Sequence, residues 1–561
     1  MISNPKVLSR CYLPLVLLLL LVASAILLFC RLGDIEMRPW DESLYALRAK
    51  EMYYSGHFLA PMQGGKVAWS SGKPPLGYWL ILLSFHLLGL NPLALRLPFA
   101  LAGVGCVFLL FMVGQQIGDR RLGLFSALSL LLMPGFLDYS RRAILEPLLT
   151  FFFLAALLLF HQSHRCTTSK SILYSFASGL AIGLAILTKQ VVGLVILPAL
   201  LIYEIYHWRC RGGEGHLARS GSLLLATVVT SVWWFLIMYG QYGSTFLQSY
   251  FGTNVFRRLT HTITARKTMA RGFHTVLLQH TGTIPLLVGL IGLLLLLLLL
   301  WPRFSRRVGS LFLPLRGGSL FIPFFLFSAT YYLIFGVISR TLLSWYPFPL
   351  LPLLALGQGY LLRICIEASV RREESRLWRF ATLFPPLLAF TLAFSQKLHW
   401  AFLFLIPLLF LHLLLLAGES TVVKVEIAQE RRASFLWGLG LFFLALFFSF
   451  SAHLAWQGQT YHSPDPYKEV AVQVKVSRPE EVLFDADIGG DLWDKINPLR
   501  FYLEIPVRKA QVESYLRGDG AGKGEMIITS RARWMALRGT ASGGRPAQLL
   551  PGNDLVLLET R

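Results

Sequence analysis

Long apolar runs alternate with short charged connections along most of the chain. On the rule that about twenty apolar residues cross a bilayer, about thirteen spans are expected, near 12–30, 94–117, 122–138, 144–161, 172–188, 190–207, 220–240, 282–301, 318–338, 342–362, 379–395, 400–416 and 434–456. The first run follows Lys6 and Arg10 and contains Ala23-Ser24-Ala25, which looks like a signal-peptide cleavage site. The run continues through Phe29, so an uncleaved anchor with a cytoplasmic N-terminus is expected. The apolar piece 76–90 is short and follows Pro74-Pro75, which suits an interfacial helix. Beyond 457 the apolar runs shorten. Strand-like stretches appear there (Glu481–Asp485, Met526–Ser530, Asp554–Glu559), and Asp465-Pro466 signals a helix start. These features predict a small α/β domain over 458–561, following a membrane domain over 1–457.

One polar stretch interrupts the apolar pattern early. Arg38 to Tyr78 carries both charge signs and is longer than a chain reversal requires. It opens with the acidic pair Asp41-Glu42 at the start of an expected amphipathic helix, 41–55, closed by Gly56. It ends on Lys73 before two prolines. We read it as a candidate catalytic loop within the outer segment 31–92.

Composition supports a membrane protein: 55% of the 561 residues are hydrophobic and 15% charged, against about 25% charged in soluble domains. The net charge of +22 does not indicate nucleic-acid binding, because Lys and Arg cluster in alternate connections as the positive-inside rule requires. That alternation places 38–78, 138–146, 241–281 and everything after 457 together outside. Two of these segments, 38–78 and 241–281, are themselves basic, which suggests an anionic ligand. The six cysteines lie in or beside apolar segments without metal-type spacing, and read as apolar filler.

The candidate chemistry collects on that outer rim. Asp41 is either a helix N-cap or a carboxylate that orients or deprotonates an acceptor. Lys73 is either a solvated turn residue or a cation held at headgroup level to meet phosphate. Glu146, after Arg141-Arg142, is either one half of a structural ion pair or a functional rim carboxylate. Lys189 is either a snorkelling anchor or a ligand for an anion, and Arg257-Arg258 make the 241–281 loop basic. Tyr346 is either a belt aromatic or a hydrogen-bond donor to a headgroup. Glu42 and Tyr45 complete the loop as acceptor-side candidates.

The ordered set WDESLYALRAKEM, GKPPLGYWL, RLPFALAG, LEPLLTFFFLA, GLAILTKQVVGL and WYPFPLLPLLALG, with FYLEIPV in the tail, resembles the GT-C integral membrane glycosyltransferases. The nearest branch is that of the aminoarabinose transferases and protein O-mannosyltransferases. The resemblance implies an α-helical polytopic GT-C fold, a polyprenyl-phosphate sugar donor and inversion at the anomeric carbon. By motif, it implies Asp41 as principal catalytic carboxylate and Glu146 as the second. It implies Lys73 as ligand of the donor phosphate, assisted by Tyr346. Arg141, Arg142, Lys189, Arg257 and Arg258 are the further cations expected at that phosphate. Leu44 stands where the family has arginine, and Gly72 where it has a glutamate that can help hold a metal, so no metal or other cofactor is expected. The expected partners are a polyprenyl-phosphate-linked sugar, membrane lipids, and a lipid, glycan or protein acceptor, at the outer face of a bacterial-type cytoplasmic membrane. Nucleic acid is not expected. Two alternatives are a transporter or flippase of a lipid-linked anion, and a non-catalytic lipid-binding member of the family.

Overall fold

The computed structural model describes residues 5–34, 37–69, 72–211, 215–256, 272–300, 318–339 and 343–370, and segments of the tail, chiefly 482–485, 496–503, 507–510, 526–530, 546–549 and 555–559. The expected spans at 379–395, 400–416 and 434–456, the Asp465-Pro466 helix start, and Arg257 and Arg258 lie outside the described residues.

The membrane part is helical. Helix α1 covers Pro5–Phe29, α2 Asp41–Ser55, α3 Leu76–Leu88, α4 Pro92–Ile117, α5 Arg120–Leu131, α6 Pro134–Ser140 and α7 Glu146–Ser163. Then come α8 Thr168–Lys189, α9 Ile196–Arg211, α10 His216–Leu247, α11 Phe273–Thr281, α12 Thr283–Leu299, α13 Gly318–Tyr332 and α14 Leu351–Val370. Among the described residues, five stretches are long and apolar enough to cross a membrane, or up to seven if two bent helix pairs each count as one.

Caps and prolines set the boundaries. The Asn91 side chain accepts from Ala94 N at 2.8 Å and Pro92 opens α4, so two of the orphan amides of a helix start are accounted for. Asp119 does the same for α5, accepting from Arg121 N and Leu122 N at 3.0 and 2.9 Å. Pro134 cannot continue the ladder of α5, and the axis turns by 67° into α6. The span expected at 342–362 becomes helical only at Leu351, because Pro347 and Pro349 hold the preceding residues in turns and one short 3₁₀ piece. Helix α3 has 13 residues, about 20 Å of helix, too short to cross the hydrocarbon alone.

Helices α4, α5, α7, α13 and α14 share the main apolar core. Where α12 crosses α14, glycines face backbone: a Cβ at Gly292 would meet the Gly357 carbonyl, and one at Gly357 the Gly289 carbonyl. Close approach of this kind gains dispersion contacts that lipid chains would otherwise supply.

In the loop after α2, strands β1 Met62–Gln63 and β2 Lys66–Val67 pair antiparallel. In the tail, strands β3 Val482–Asp485, β4 Val507–Ala510, β5 Met526–Ser530, β6 Pro546–Leu549 and β7 Leu555–Glu559 form one sheet in the order β4-β3-β5-β7-β6. β3 runs parallel to both β4 and β5, whereas β7 is antiparallel to β5 and β6. All four residues of β3 are buried, as befits an inner strand covered on both faces. Helix α15, Asn497–Tyr502, joins β3 to β4.

Candidate active site

Helix α2 carries the acidic pair. Its start is unusual: Trp40 occupies the cap position with φ 85° and ψ −129° and makes no side-chain capping bond. Asp41 is therefore the first helical residue and not the N-cap. Gly56 ends α2 in the left-handed conformation, its N–H donating to Met52 O at 3.0 Å.

Two faces of α2 have different fates. Glu42 is buried and turned away from Asp41. It accepts from Arg96 Nε at 2.7 Å, Arg38 N at 2.9 Å and Ala143 N at 3.2 Å, with Arg142 3.8 Å away. Burial alone would raise the Glu42 carboxyl. The Arg96 and Arg142 guanidiniums and the bonds from Arg96 and Arg38 outweigh it and hold Glu42 below its usual value. Expected as an acceptor-side residue, Glu42 is instead a brace joining the loop to α4 and to the turn before α7.

A neighbouring face, at i, i+4 and i+7, presents Asp41, Tyr45 and Arg48. Tyr45 and Arg48 are buried, and Tyr45 meets Tyr78 of α3 edge to face with ring centroids 5.8 Å apart. Burial, then the Asp41 charge, Tyr78 and the Glu146 charge, keep the Tyr45 phenol well above its ordinary range, with Arg48 opposing. Both candidate carboxylates thus bear on one phenol. Arg48 donates to Gln63 Oε1 from Nε and Nη2 at 3.3 and 3.1 Å.

Glu146 opens α7 and pairs with Lys189 at the end of α8. Both are buried, so Lys189 is not a snorkelling anchor, and the partner of Glu146 is Lys189 and not Arg141 or Arg142. The Lys189 ammonium stands 5.7 Å from the centroid of the Tyr346 ring, within cation–π range. The backbone turns sharply at Gln190, whose φ of 63° is rare for a side-chain-bearing residue. That turn sends the Gln190 amide to the Gly72 carbonyl, which it meets at 2.8 Å. Buried Lys73 is thereby fastened beside the Lys189 turn.

Arg141 and Arg142 do not join this group. Arg141 donates to the Cys30 and Leu27 carbonyls at 2.6 and 3.3 Å, satisfying acceptors at the end of α1. Arg142 pairs with Asp138 at 2.8 Å, and Arg38 reaches Asp138 at 3.3 Å. Arg48, Gln63, Tyr78 and Gln190 border the site and were not singled out from sequence. For Arg48 the signal was its spacing of seven from Asp41. Gly72 is tightly enclosed: a Cβ there would lie 2.6 Å from the Ala68 carbonyl oxygen.

These carboxylates and cations come from four separated parts of the chain, and the apolar helices that carry them define the class as a multi-pass membrane protein. Residues 18–245 match the family described as dolichyl-phosphate-mannose-protein mannosyltransferase. An uncharacterised protein of Aquifex aeolicus is 34% identical over 43% of this chain and 47% of its own length. An undecaprenyl phosphate-alpha-4-amino-4-deoxy-L-arabinose arabinosyl transferase of Pseudomonas fluorescens is 29% identical over 40% of each chain. The chain thus spans less than half the length of these curated relatives. In fold it is similar to ArnT from Cupriavidus metallidurans bound to undecaprenyl phosphate, with a TM-score of 0.62 at 18% identity over 97% of each chain. It is also similar to the archaeal oligosaccharyltransferase AglB from Archaeoglobus fulgidus, with a TM-score of 0.52 at 11% identity over 99% of this chain and 75% of that one. The chain resembles the GT-C glycosyltransferases of the aminoarabinose transferase and protein mannosyltransferase branch.

Proposed function

We propose that the protein is a glycosyltransferase that moves a sugar from a polyprenyl-phosphate donor to a lipid, glycan or protein acceptor at the outer face of the cytoplasmic membrane. One observation supports the reading above the others: Glu146 pairs with Lys189 from 43 residues away, and the neighbouring Gln190 bonds to the Gly72 carbonyl beside Lys73. The similarity to relatives named for undecaprenyl phosphate-linked aminoarabinose and dolichyl-phosphate mannose supports the donor class. In this reading about thirteen spans carry the site and the tail forms an extracytoplasmic α/β domain.

The chemistry is a single displacement. An acceptor oxygen bonds to the anomeric carbon from the face opposite the phosphate, the carbon–oxygen bond to phosphate breaks, and the electron pair leaves with the polyprenyl phosphate. Asp41 takes the proton of a hydroxyl acceptor; for a phosphate acceptor it only orients. Lys73 and Lys189 stabilise the charge on the departing phosphate. Glu146 balances Lys189 until the donor arrives, and Tyr346 steadies the ammonium. The test is Asp41→Asn in purified protein with radiolabelled undecaprenyl-phosphate-linked aminoarabinose or mannose. Loss of a proton acceptor of this kind costs about 10²- to 10⁴-fold in rate. Unchanged transfer by a folded Asp41→Asn protein removes Asp41 from the mechanism.

A further inference from the structure

The FYLEIPV motif of the tail has no part in the chemistry above. Its first three residues, Phe501, Tyr502 and Leu503, end helix α15 and begin the strand connection to β4. They divide between two cores. Ile496, Leu499 and Leu503 pack in the tail core with Val482, Phe484, Met526 and Ile528. Phe501 is instead buried in the core of the catalytic loop, among residues of α2 and α3 that include Tyr45, Met52, Tyr78 and Phe85. Its ring centroid lies 6.4 Å from that of Phe85. Tyr502 is partly buried against both cores.

A charge sits over this apolar joint. The ammonium of Lys50 on α2 donates to the carbonyls of Leu503 at 2.6 Å, Phe501 at 2.9 Å and Arg500 at 3.4 Å. These oxygens include last-turn acceptors of α15, which lack partners within their own helix, and a cation there is also favoured by the helix dipole. Lysine has three donors and a long stem, and here the three acceptors converge on it from a segment some 450 residues away in sequence.

We propose that Lys50 and Phe501 clamp the tail onto α2, and that this clamp fixes the position of the Asp41-Tyr45-Arg48 face. Lys50 is a positioning residue. It acts through α2, two and a half turns from Asp41, and makes no contact with substrate. The clamp makes the tail part of the site's framework and not an appendage. The functional half of this inference rests on the reading of Asp41 as the catalytic carboxylate.

The test is hydrogen–deuterium exchange on the full chain in detergent, comparing wild type, Lys50→Met and Lys50→Arg. Exchange is expected to rise about tenfold in peptides from 41–49 as well as in 497–503 for Lys50→Met, and to return toward wild type for Lys50→Arg. Phe501→Ala, which empties the apolar half of the joint, is expected to give the same pattern. With radiolabelled undecaprenyl-phosphate-linked sugar, Lys50→Met lowers kcat about tenfold and leaves donor KM unchanged. Loosening of 497–503 without any change in 41–49 overturns the clamp, because the tail is then merely tethered. Wild-type kcat in Lys50→Met with 41–49 loosened overturns the positioning role. Failure of the catalytic reading is seen separately, as full activity in Asp41→Asn, and leaves the exchange result standing.

Discussion

The Glu42–Arg96 pair gives the most direct check on how the loop is held. Arg96 has a fully buried side chain and Glu42 is 2% exposed. Replacing Glu42 with leucine removes the carboxylate that meets Arg96 Nε, Arg38 N and Ala143 N. Breaking one side of a buried ion pair costs about 3–5 kcal/mol, roughly two to three and a half decades in the folded-to-unfolded ratio. Replacing both partners, Glu42→Leu with Arg96→Met, removes the stranded charge and is expected to recover most of that loss. Graded SDS denaturation in mixed micelles reads both. There is a pH signature as well. Because Glu42 is held below its ordinary value of 4.5 when folded, its contribution is fully present above that value. It is lost as pH falls below it and the carboxylate takes up a proton. The leucine variant lacks this acid step. If Glu42→Leu is as stable as wild type, or the double variant is no better than the single, the brace is not what holds the loop.

Three further outcomes follow from the geometry. Gly72→Glu restores the family's side chain but drives a Cβ toward the Ala68 carbonyl. It is expected to break the Gln190–Gly72 bridge and weaken undecaprenyl phosphate binding about tenfold, read by thermal shift, with no gain on adding divalent metal. Tyr346→Phe keeps a ring beside Lys189, whereas Tyr346→Leu forfeits an interaction of about 0.5–2 kcal/mol; donor affinity is expected to fall only in the leucine variant, by up to roughly thirtyfold. Gly357→Leu forces α12 and α14 apart and is expected to lower the thermal midpoint while the isolated sheet signals of the tail are unchanged in circular dichroism.

Much of the fold could be read in the chain because hydropathy and caps are local. The helix expected at 41–55 with its Gly56 stop is α2, and the strand stretches at 481–485, 526–530 and 554–559 contain β3, β5 and β7. Strands β4 and β6 escaped notice: Val507–Ala510 has two adjacent cations at its centre and Pro546–Leu549 opens on proline, so neither shows apolar alternation. The site was legible as a set of residues but not as a set of partners. Sequence proximity pointed Arg141 and Arg142 at Glu146. The turn at residues 141–145 instead aims them at α1, Asp138 and Glu42, and leaves Glu146 to Lys189, 43 residues on. The different facing of Asp41 and Glu42 is a consequence of the 100° step between adjacent helical residues, which an acidic pair in a string of letters conceals.

Among the described residues, three non-glycines have positive φ, and two of them, Trp40 and Gln190, immediately adjoin Asp41 and Lys189. Each such conformation costs on the order of 1–3 kcal/mol, a cost relieved only where that turn unwinds. The packing around both charged ends of the site therefore imposes conformations that the chain alone disfavours. Glycine at position 190 would ease the chain there, yet it would also remove the amide that ties this turn to the Gly72 carbonyl.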